Sequence, residues 1–280
     1  MHCTLEALKP LGVTPDDIVL IQNDSKYCPN SGESASSRQH YMNCKAVVRA
    51  AESLMNAMKK PDGTYRTYQE MVDEGIPTKY SGMYANKEDT IITELDPNTG
   101  VGNPSHEYSY SLVLAEVEVE TKTGKTKVLR ITCIDDVGTI GDLNALNGQA
   151  YGGISHCIGF ALKENYEDVK KQTDPLRGGV PSIDEVPDDI TLIHNGTYRD
   201  SNPFGSSGAS EGYQSGGHMA VINAIKDACG VRIYELPATP DKVKAGIDAI
   251  ARGEKVDPPK RYFLGSDLYE EMDFIKNNPV

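Results

Sequence analysis

The chain contains 280 residues, of which 38% are hydrophobic and 25% are charged, a balance typical of a folded globular protein. Its formal net charge of −13 argues against a nucleic-acid-binding protein, which needs clustered Lys and Arg. No apolar run approaches the ~18 residues that cross a membrane, and the first residues lack a secretory signal pattern. The six cysteines include no C-x-x-C pair, which argues against a zinc knuckle or an iron–sulfur cluster on this chain. We expect a reduced, cytoplasmic protein.

The first third of the chain predicts one strand and two helices. Residues 17–21 form a short apolar run between polar residues, which predicts a buried strand. Apolar residues at three- to four-residue spacing from Cys44 to Met58 predict one face of a helix, ended by Pro61. A short helix is predicted over residues 67–74.

The middle of the chain predicts a hairpin followed by a second helix. Apolar and polar residues alternate from Tyr108 to Glu120, and the chain turns at 123–125 and returns over 128–134, as in a β-hairpin. A polar loop over 135–146 precedes a helix that ends near Leu162. Its three glycines are unfavourable in a helix and predict that another backbone comes close.

The last third predicts strands at 190–193 and 231–234 and helices over 220–228 and 240–252. Gly230 is a natural helix C-cap. The intervening stretch from Asp200 to Gly217 contains five glycines and five serines and shows no hydrophobic period. Strands and helices therefore alternate along a chain of mixed α and β class.

The glycine- and serine-rich stretch offers two chemical interpretations. Gly208 to Gly212 matches the G-x-S-x-G nucleophile elbow of hydrolases, but no strand precedes it and no catalytic histidine lies far enough downstream. The small residues from Ser206 to Ser210 also allow backbone N–H groups to approach an anion, before a helix start near Gly216. Glu211 follows as a candidate general base. A solvated surface loop remains the alternative.

Two helix starts are further candidates. Ser37, Arg38 and Gln39 open the first strong helix, where they form either a phosphate seat or an ordinary cap. Gln149 opens the second helix and either presents its amide to a ligand or is merely polar. The cysteines at 44 and 157 lie on apolar helix faces and are predicted core residues.

The candidate residues at these positions also match sequence motifs of a known protein family. The chain resembles the C-terminal part of the molybdenum-binding region of molybdenum hydroxylases, the xanthine oxidase family, and most closely bacterial aldehyde oxidoreductases. The resemblance runs from about Leu5 to about Ile250. It is carried by Asn23-Asp24, Cys28–Gly32, Ser37–Gln39, Asp136–Gly138, Gly148–Gly153, Ile158–Leu162, Pro203–Gly205, Ser207–Glu211 and Ala220–Ile225.

The resemblance implies an α+β fold of two α/β lobes with mixed sheets, as in the second molybdenum-binding domain of that family. Residues 1–104 would form the first lobe, residues 105–250 the second lobe with the Glu211 loop, and residues 251–280 a C-terminal extension. The N-terminal half of the molybdenum-binding region and the iron–sulfur domain or subunit are then the expected partners, and the isolated chain is expected to be inactive.

The resemblance also assigns roles to residues. The cofactor is a molybdopterin dinucleotide, of the cytosine type in bacteria, whose dithiolene holds the molybdenum, so no protein metal ligand is expected. Glu211 matches the catalytic base in the hydroxylation of an aldehyde or N-heterocycle, and electrons leave through 2Fe–2S clusters on partner domains. The residues matching cofactor contacts are Ser37, Arg38, Gln39, Gly141, Asp142, Gln149, Ser207, Gly208, Ala209 and Ser210.

Two departures from the family pattern leave an alternative open. The family loop reads Gly-Val-Gly-Glu, whereas this chain places Ser210 before Glu211, which would restrict the backbone if that position needs a positive φ. Asp142 would place an acid near a phosphate. The alternative is a non-catalytic structural subunit of such a complex.

Overall fold

The computed structural model describes residues 1–85, 92–105, 107–254 and 277. The expected mixed α+β class is confirmed by three strands, namely β1 (Tyr110–Val119), β2 (Thr126–Asp136) and β3 (Asp189–Asn195). The helices are α1 (His2–Ala7), α2 (Arg38–Met58), α3 (Tyr68–Asp73), α4 (Leu143–Leu162), α5 (Gly212–Ser215), α6 (Gly217–Cys229) and α7 (Pro240–Ala251). In this described part of the chain, no helix is both long and apolar enough to cross a membrane.

The strands form one sheet in the order β1-β2-β3. The predicted hairpin between β1 and β2 is confirmed, and the Glu120 N–H closes its turn on the Lys125 carbonyl at 2.9 Å. β3 runs parallel to β2, because Arg130 and Asp189 pair at one end and the Val137 N–H reaches the Asn195 carbonyl at the other. Parallel neighbours need a crossover, and α4 lies within it.

The predicted helices form where the apolar spacing is regular. α2 buries Tyr41, Cys44 and Ala51, so its periodic face is the one that packs inward. It begins at Arg38, ahead of the apolar period. α6 buries Val221 and Ile225 and ends before Gly230, which adopts the left-handed φ of +79° expected of a C-terminal glycine.

Two predicted strands do not form. Residues 17–21 are a short 3₁₀ turn followed by irregular chain, and Val19 is 87% exposed, so the prediction of a buried strand is wrong for this structure. Residues 231–234 are irregular too, although Val231 is buried against Gly246 of α7. Each run is apolar enough for a strand, but among the described residues no neighbouring strand pairs with it. The predicted extension over 251–280 lies almost entirely outside the described residues.

The chain forms two compact units, each assembled from three stretches of sequence. The first unit contains Met1–Val113, Thr132–Ile154 and Thr191–Gly216, and its core includes Tyr41 and Tyr213. The second contains Leu114–Ile131, Ser155–Ile190 and Gly217–Val280, and its core includes Cys157 and Val243. These units are interleaved in sequence, whereas the predicted lobes are contiguous stretches that divide near residue 105. The lobe division stays a prediction. The core positions expected for Cys44 and Cys157 are confirmed.

The glycines of α4 differ in what surrounds them. A Cβ placed on Gly153 would lie 2.5 Å from the Tyr213 Cβ and 3.0 Å from its carbonyl carbon, which is the close backbone approach that the sequence predicts. A Cβ on the preceding Gly152 would meet nothing within 4 Å. An alanine at Gly153 would therefore test packing against Tyr213, whereas an alanine at Gly152 would test helix propensity alone.

We predict that Gly153→Ala lowers the free energy of unfolding by about 1–3 kcal/mol, because the added methyl overpacks against the backbone of Tyr213. Gly152→Ala should instead leave stability unchanged or raise it by up to ~1 kcal/mol, since alanine favours the helix. Urea denaturation of the two variants measures both effects. Equal responses would contradict the packing described for Gly153.

Candidate functional site

A cavity of about 450 Å³ lies in the first unit, within the usual size range of ligand pockets of roughly 300–1,000 Å³. Its walls come from four separated stretches of chain, within residues 1–3, 34–44, 137–149 and 206–210. Nine of the ten residues predicted to contact cofactor line it, namely Ser37, Gln39, Gly141, Asp142, Gln149, Ser207, Gly208, Ala209 and Ser210. The structure therefore gathers into one cavity residues that are far apart in sequence.

Arg38 is the exception. It is absent from the cavity lining, and its Nη1 donates to the Glu33 carbonyl at 3.0 Å. The lining within the described residues contains no arginine and no lysine. No guanidinium and no lysine ammonium would therefore meet an anion in the cavity.

The start of α2 and the loop before α5 meet at Ser37. Ser36 and Ser37 both adopt left-handed backbone conformations, with φ of 52° and 54°. A Cβ on Gly208 would lie 2.3 Å from the Ser37 carbonyl oxygen and 2.5 Å from its Cβ, so glycine is needed for this approach. The Ser109 hydroxyl donates to the Gly208 carbonyl at 2.8 Å and fixes the loop from the other side.

Glu211 also takes part in the contact between Ser37 and the loop before α5. The Ser37 hydroxyl donates a short hydrogen bond to Glu211 Oε2, and the Ser210 hydroxyl lies 3.4 Å from that oxygen. The Glu211 N–H points back at the Ser37 hydroxyl at 3.4 Å. The hydrogen bond from Ser37 lowers the pKa of Glu211 below its usual value, so the side chain is a carboxylate at neutral pH.

Two expectations about this loop are corrected by the structure. Ser210 is not among the non-glycine residues with positive φ in the described chain, so serine at this position places no strain on the backbone. The loop also does not run directly into α6, because the four-residue helix α5 lies between them. The helix expected to start near Gly216 is α6, which begins at Gly217, whereas the small-residue loop ends at α5.

The loop presents unused hydrogen-bond donors. The N–H and hydroxyl of Ser207 both donate to the Val137 carbonyl, at 3.0 and 2.7 Å, so Ser207 is occupied by the fold. The N–H groups of Gly208, Ala209 and Ser210 make no hydrogen bond to another described residue, although all three residues line the cavity. Three successive N–H groups without a partner in the described chain are donors that an oxyanion could use.

Asp142 has a structural reason to be acidic. Its Oδ1 accepts the Ala145 N–H at 3.0 Å at the start of α4, as a helix N-cap does. That hydrogen bond lowers the pKa of Asp142, and His2 Nε2 lies 3.1 Å from the other oxygen. The acid therefore caps a helix beside the cavity.

Comparison with known proteins identifies the domain. The profile of the molybdopterin cofactor-binding domain matches residues 3–187. The aldehyde oxidoreductase of Megalodesulfovibrio gigas is 41% identical over 244 residues, which is 87% of this chain. The chain belongs to the molybdopterin-binding domain family of xanthine oxidase and aldehyde oxidoreductase type.

Solved structures agree with this family. The aldehyde oxidoreductase from Desulfovibrio gigas matches 89% of the chain with a TM-score of 0.84 at 40% identity, and 27% of that protein is covered. The enzyme from Desulfovibrio desulfuricans matches 88% of the chain with a TM-score of 0.82 at 41% identity, and 26% of it is covered. The chain thus spans about a quarter of the length of these relatives.

Two hydrogen-bonded groups of the first unit were missed by sequence reasoning. His40 Nε2 lies 2.6 Å from the Ser206 hydroxyl, both residues line the cavity, and burial lowers the pKa of His40. His194 lies between the buried carboxylate of Asp135, at 2.7 Å, and the Asn147 amide oxygen, at 2.8 Å. Local periodicity gives no signal for these pairs, because their partners are 47 to 166 residues away.

The hydrolase interpretation has no structural support. Ser210 hydrogen bonds to Ser37 and Glu211, and no histidine in the described chain hydrogen bonds to it. A short 3₁₀ turn at Pro203–Gly205, rather than a strand, precedes the loop.

A second cavity, of about 530 Å³ in the second unit, is lined by none of the predicted site residues.

We predict that Ser37→Ala raises the pKa of Glu211 toward its usual value of 4.5, because the carboxylate loses its donated hydrogen bond. Titration of the Glu211 carboxyl carbon by NMR measures this shift. The stability that the hydrogen bond contributes is present above the unfolded pKa and lost as the pH falls through the lower folded pKa.

Ser215→Ala is the matched control, because the Ser215 hydroxyl donates at 3.0 Å to the Glu211 backbone carbonyl and not to the carboxylate. The control should leave the pKa of Glu211 unchanged. Identical titration curves for Ser37→Ala and the unaltered chain would contradict the described hydrogen bond.

Proposed function

We propose that the chain is part of a molybdenum hydroxylase, in which the cavity of the first unit binds a molybdopterin cytosine dinucleotide and Glu211 is the catalytic base. The observation that supports this proposal most strongly is the convergence of nine family-matched contact residues on one cavity beside Glu211. The 41% identity to an aldehyde oxidoreductase favours an aldehyde as substrate, and an N-heterocycle is the alternative. The six free thiols are consistent with the cytoplasm as its compartment.

The residues present fit the cofactor in their donor and acceptor chemistry. The free N–H groups of Gly208, Ala209 and Ser210 would hold oxyanion atoms. Gln39 Nε2 donates to three backbone carbonyls, of Ser31, Gly32 and Glu33, whereas its buried Oε1 has no partner within the described chain. A pterin or nucleobase N–H would satisfy that acceptor.

Other wall residues would complete the seat. Gln149 comes from the second turn of α4, which begins at Leu143 and not near Gln149 as predicted, and Gly141 and Asp142 come from the loop before it. The Ser37 hydroxyl comes from the start of α2. Arg38 lies outside the lining and uses its Nη1 on the Glu33 carbonyl, so its part in binding a phosphate rests on the family resemblance. The protein supplies no metal ligand in this proposal, and the described residues contain no cluster of three or more His, Cys, Asp or Glu side chains suited to a metal.

Glu211 has the protonation state that a base requires. A bound molybdenum cofactor would supply the two-electron oxidation, with 2Fe–2S clusters on partner domains as the electron acceptors. Glu211 is ionised at neutral pH, and the Ser37 and Ser210 hydroxyls both reach its Oε2. As a base, this carboxylate would accept the proton of the attacking hydroxyl. Ser37 and Ser210 hold the carboxylate in place while it does so.

The proposal requires partners. The chain covers 27% of the length of its aldehyde oxidoreductase relative, so the N-terminal molybdenum-binding half and the iron–sulfur domain or subunit would be supplied by other residues. The isolated chain should therefore show no aldehyde oxidation and hold no molybdenum. Metal analysis and an aldehyde assay of the purified chain test this, and full turnover without partners would refute it.

The decisive test uses a chimera in which this chain replaces the matching segment of the Megalodesulfovibrio gigas enzyme. Glu211→Gln should lower aldehyde oxidation by roughly 10²–10⁴-fold, the usual contribution of a general base, while the molybdenum content stays unchanged. Glu211 adjoins the lining residue Ser210 and is not itself in the cavity lining. Glu74→Gln is the control, since Glu74 pairs with Arg66 at 2.8 Å and makes no hydrogen bond to Ser37 or Ser210.

One observation favours a second candidate function. Glu211 is engaged by Ser37, so its carboxylate also joins α2 to the loop, as a residue of purely structural importance would do. The chain would then be a non-catalytic subunit of the same complex. Unchanged turnover in Glu211→Gln, with molybdenum retained, would favour this alternative over the base.

A further inference from the structure

Residues 18–21 have a strand-like sequence, and three of the four are exposed. Val19, Leu20 and Ile21 are consecutive apolar residues, and their exposed fractions are 87%, 51% and 59%. Single exposed apolar residues are ordinary, but three in succession form a contiguous apolar surface. The segment lies in the first unit, between the turn at Pro15–Asp17 and the segment that leads to Ser37.

The backbone of this segment is also unpaired. The Ile18 N–H reaches the Pro15 carbonyl at 3.2 Å, but the N–H groups of Val19, Leu20 and Ile21 make no hydrogen bond to another described residue. Ile18 has extended dihedral angles, with φ of −109° and ψ of 119°. An apolar segment with free backbone groups is a template for strand pairing.

The sequence of the segment indicates what kind of pairing it suits. Strands that cover one face of a sheet alternate apolar and polar residues, whereas a continuous apolar run is typical of a strand buried on both faces. In an extended chain Val19 and Ile21 lie on one face and Leu20 on the other, and each of the three side chains is more than half exposed. Full cover of both faces would therefore come from residues outside the described chain.

We infer that residues 18–22 become a β-strand when the chain joins the complementary part of a molybdenum hydroxylase, by pairing with a strand of that part. This inference rests on the proposed function, and it adds the surface at which the parts meet. The occupant is a segment of the same enzyme, because the chain spans 27% of its relative and nearly three quarters of that enzyme lies outside the match. Asp16, Asp17 and Asp24 flank the run and are exposed, which favours Lys or Arg beside the partner strand.

Strand pairing at residues 18–22 would also affect the proposed cofactor cavity, because the chain continues from this segment to Ser37. The Cys28 thiol lies 3.6 Å from the Ile21 carbonyl, and Gln39 holds the carbonyls of residues 31–33. The segment between the run and Ser37 is thus tied at both ends. A strand fixed at residues 18–22 would restrict the stretch that positions the start of α2.

Hydrogen exchange of the segment tests the inference directly. In the isolated chain, the amides of residues 19–22 should exchange at the rate of unstructured peptide, because no partner protects them. In the chimera with the Megalodesulfovibrio gigas enzyme, the same amides should exchange at least about tenfold more slowly. Free exchange in the chimera, or concentration-dependent protection in the isolated chain, would overturn the inference, the latter by showing a second copy as the occupant.

A pair of equally exposed residues provides the variant test. Val19 and Ile183 are both 87% exposed, and Ile183 lies in the 3₁₀ turn Ile183–Glu185 of the second unit. Val19→Asp should lower the Tm of the chimera by several degrees and leave that of the isolated chain unchanged, whereas Ile183→Asp should change neither. Equal effects of the two substitutions in the chimera would contradict the inference.

The outcomes separate the inference from the proposed function. Slow exchange at residues 19–22 in a chimera that holds no molybdenum would sustain the strand pairing and refute cofactor binding. A molybdenum-loaded, active chimera whose residues 19–22 exchange freely would sustain the function and refute the pairing.

Discussion

The cavity of the first unit depends on one long-range contact, between Ser37 at the start of α2 and the loop from Gly208 to Glu211. The contact joins residues 174 positions apart in sequence. It requires glycine at 208, because any Cβ there would overlap the Ser37 carbonyl, and it holds Ser37 in a left-handed conformation that costs roughly 1–3 kcal/mol. The packing and hydrogen bonds around Ser37 offset this strain and bring two walls of the cavity together.

The same contact sets the chemistry of the site. The Ser37 hydroxyl stabilises the Glu211 carboxylate, and the loop before Glu211 carries three cavity-lining residues whose N–H groups have no partner in the described chain. No lysine or arginine lines the cavity in the described chain, and the nearby acid Asp142 is occupied as a helix cap. Under the proposed function, a negatively charged dinucleotide would be bound by oriented dipoles and hydroxyls, in a chain of net charge −13.

Local pattern was sufficient for the elements whose partners are close in sequence. The period of α2, the alternation of the β1–β2 hairpin and the glycine after α6 each reflect a local energetic preference, and these elements form as expected. Residues 17–21 and 231–234 show the limit of that reasoning, because an apolar run becomes a strand only where another strand lies alongside. The first run is left largely exposed, and in the second only Val231 is buried, without strand pairing.

That residues so far apart in sequence meet in one cavity could be predicted only from the family resemblance. Spacing alone gave Ser37, Gln149 and Glu211 as unrelated weak candidates, since nothing local indicates that residues 37, 149 and 211 approach one another. The pairs His40–Ser206 and His194–Asp135 were missed for the same reason. Arg38 shows the converse, because a residue type suited to phosphate binding is turned toward a backbone carbonyl in this structure.

The most direct test of the central claim is an anomalous difference map of the molybdenum-loaded chimera, recorded at the molybdenum absorption edge. The metal should lie at the cavity of the first unit, beside the Glu211 carboxylate, with the pterin dinucleotide along Ser37, Gln39 and Gln149. A molybdenum peak elsewhere, such as the cavity beside Phe160 and Asn165 in the second unit, would contradict the claim.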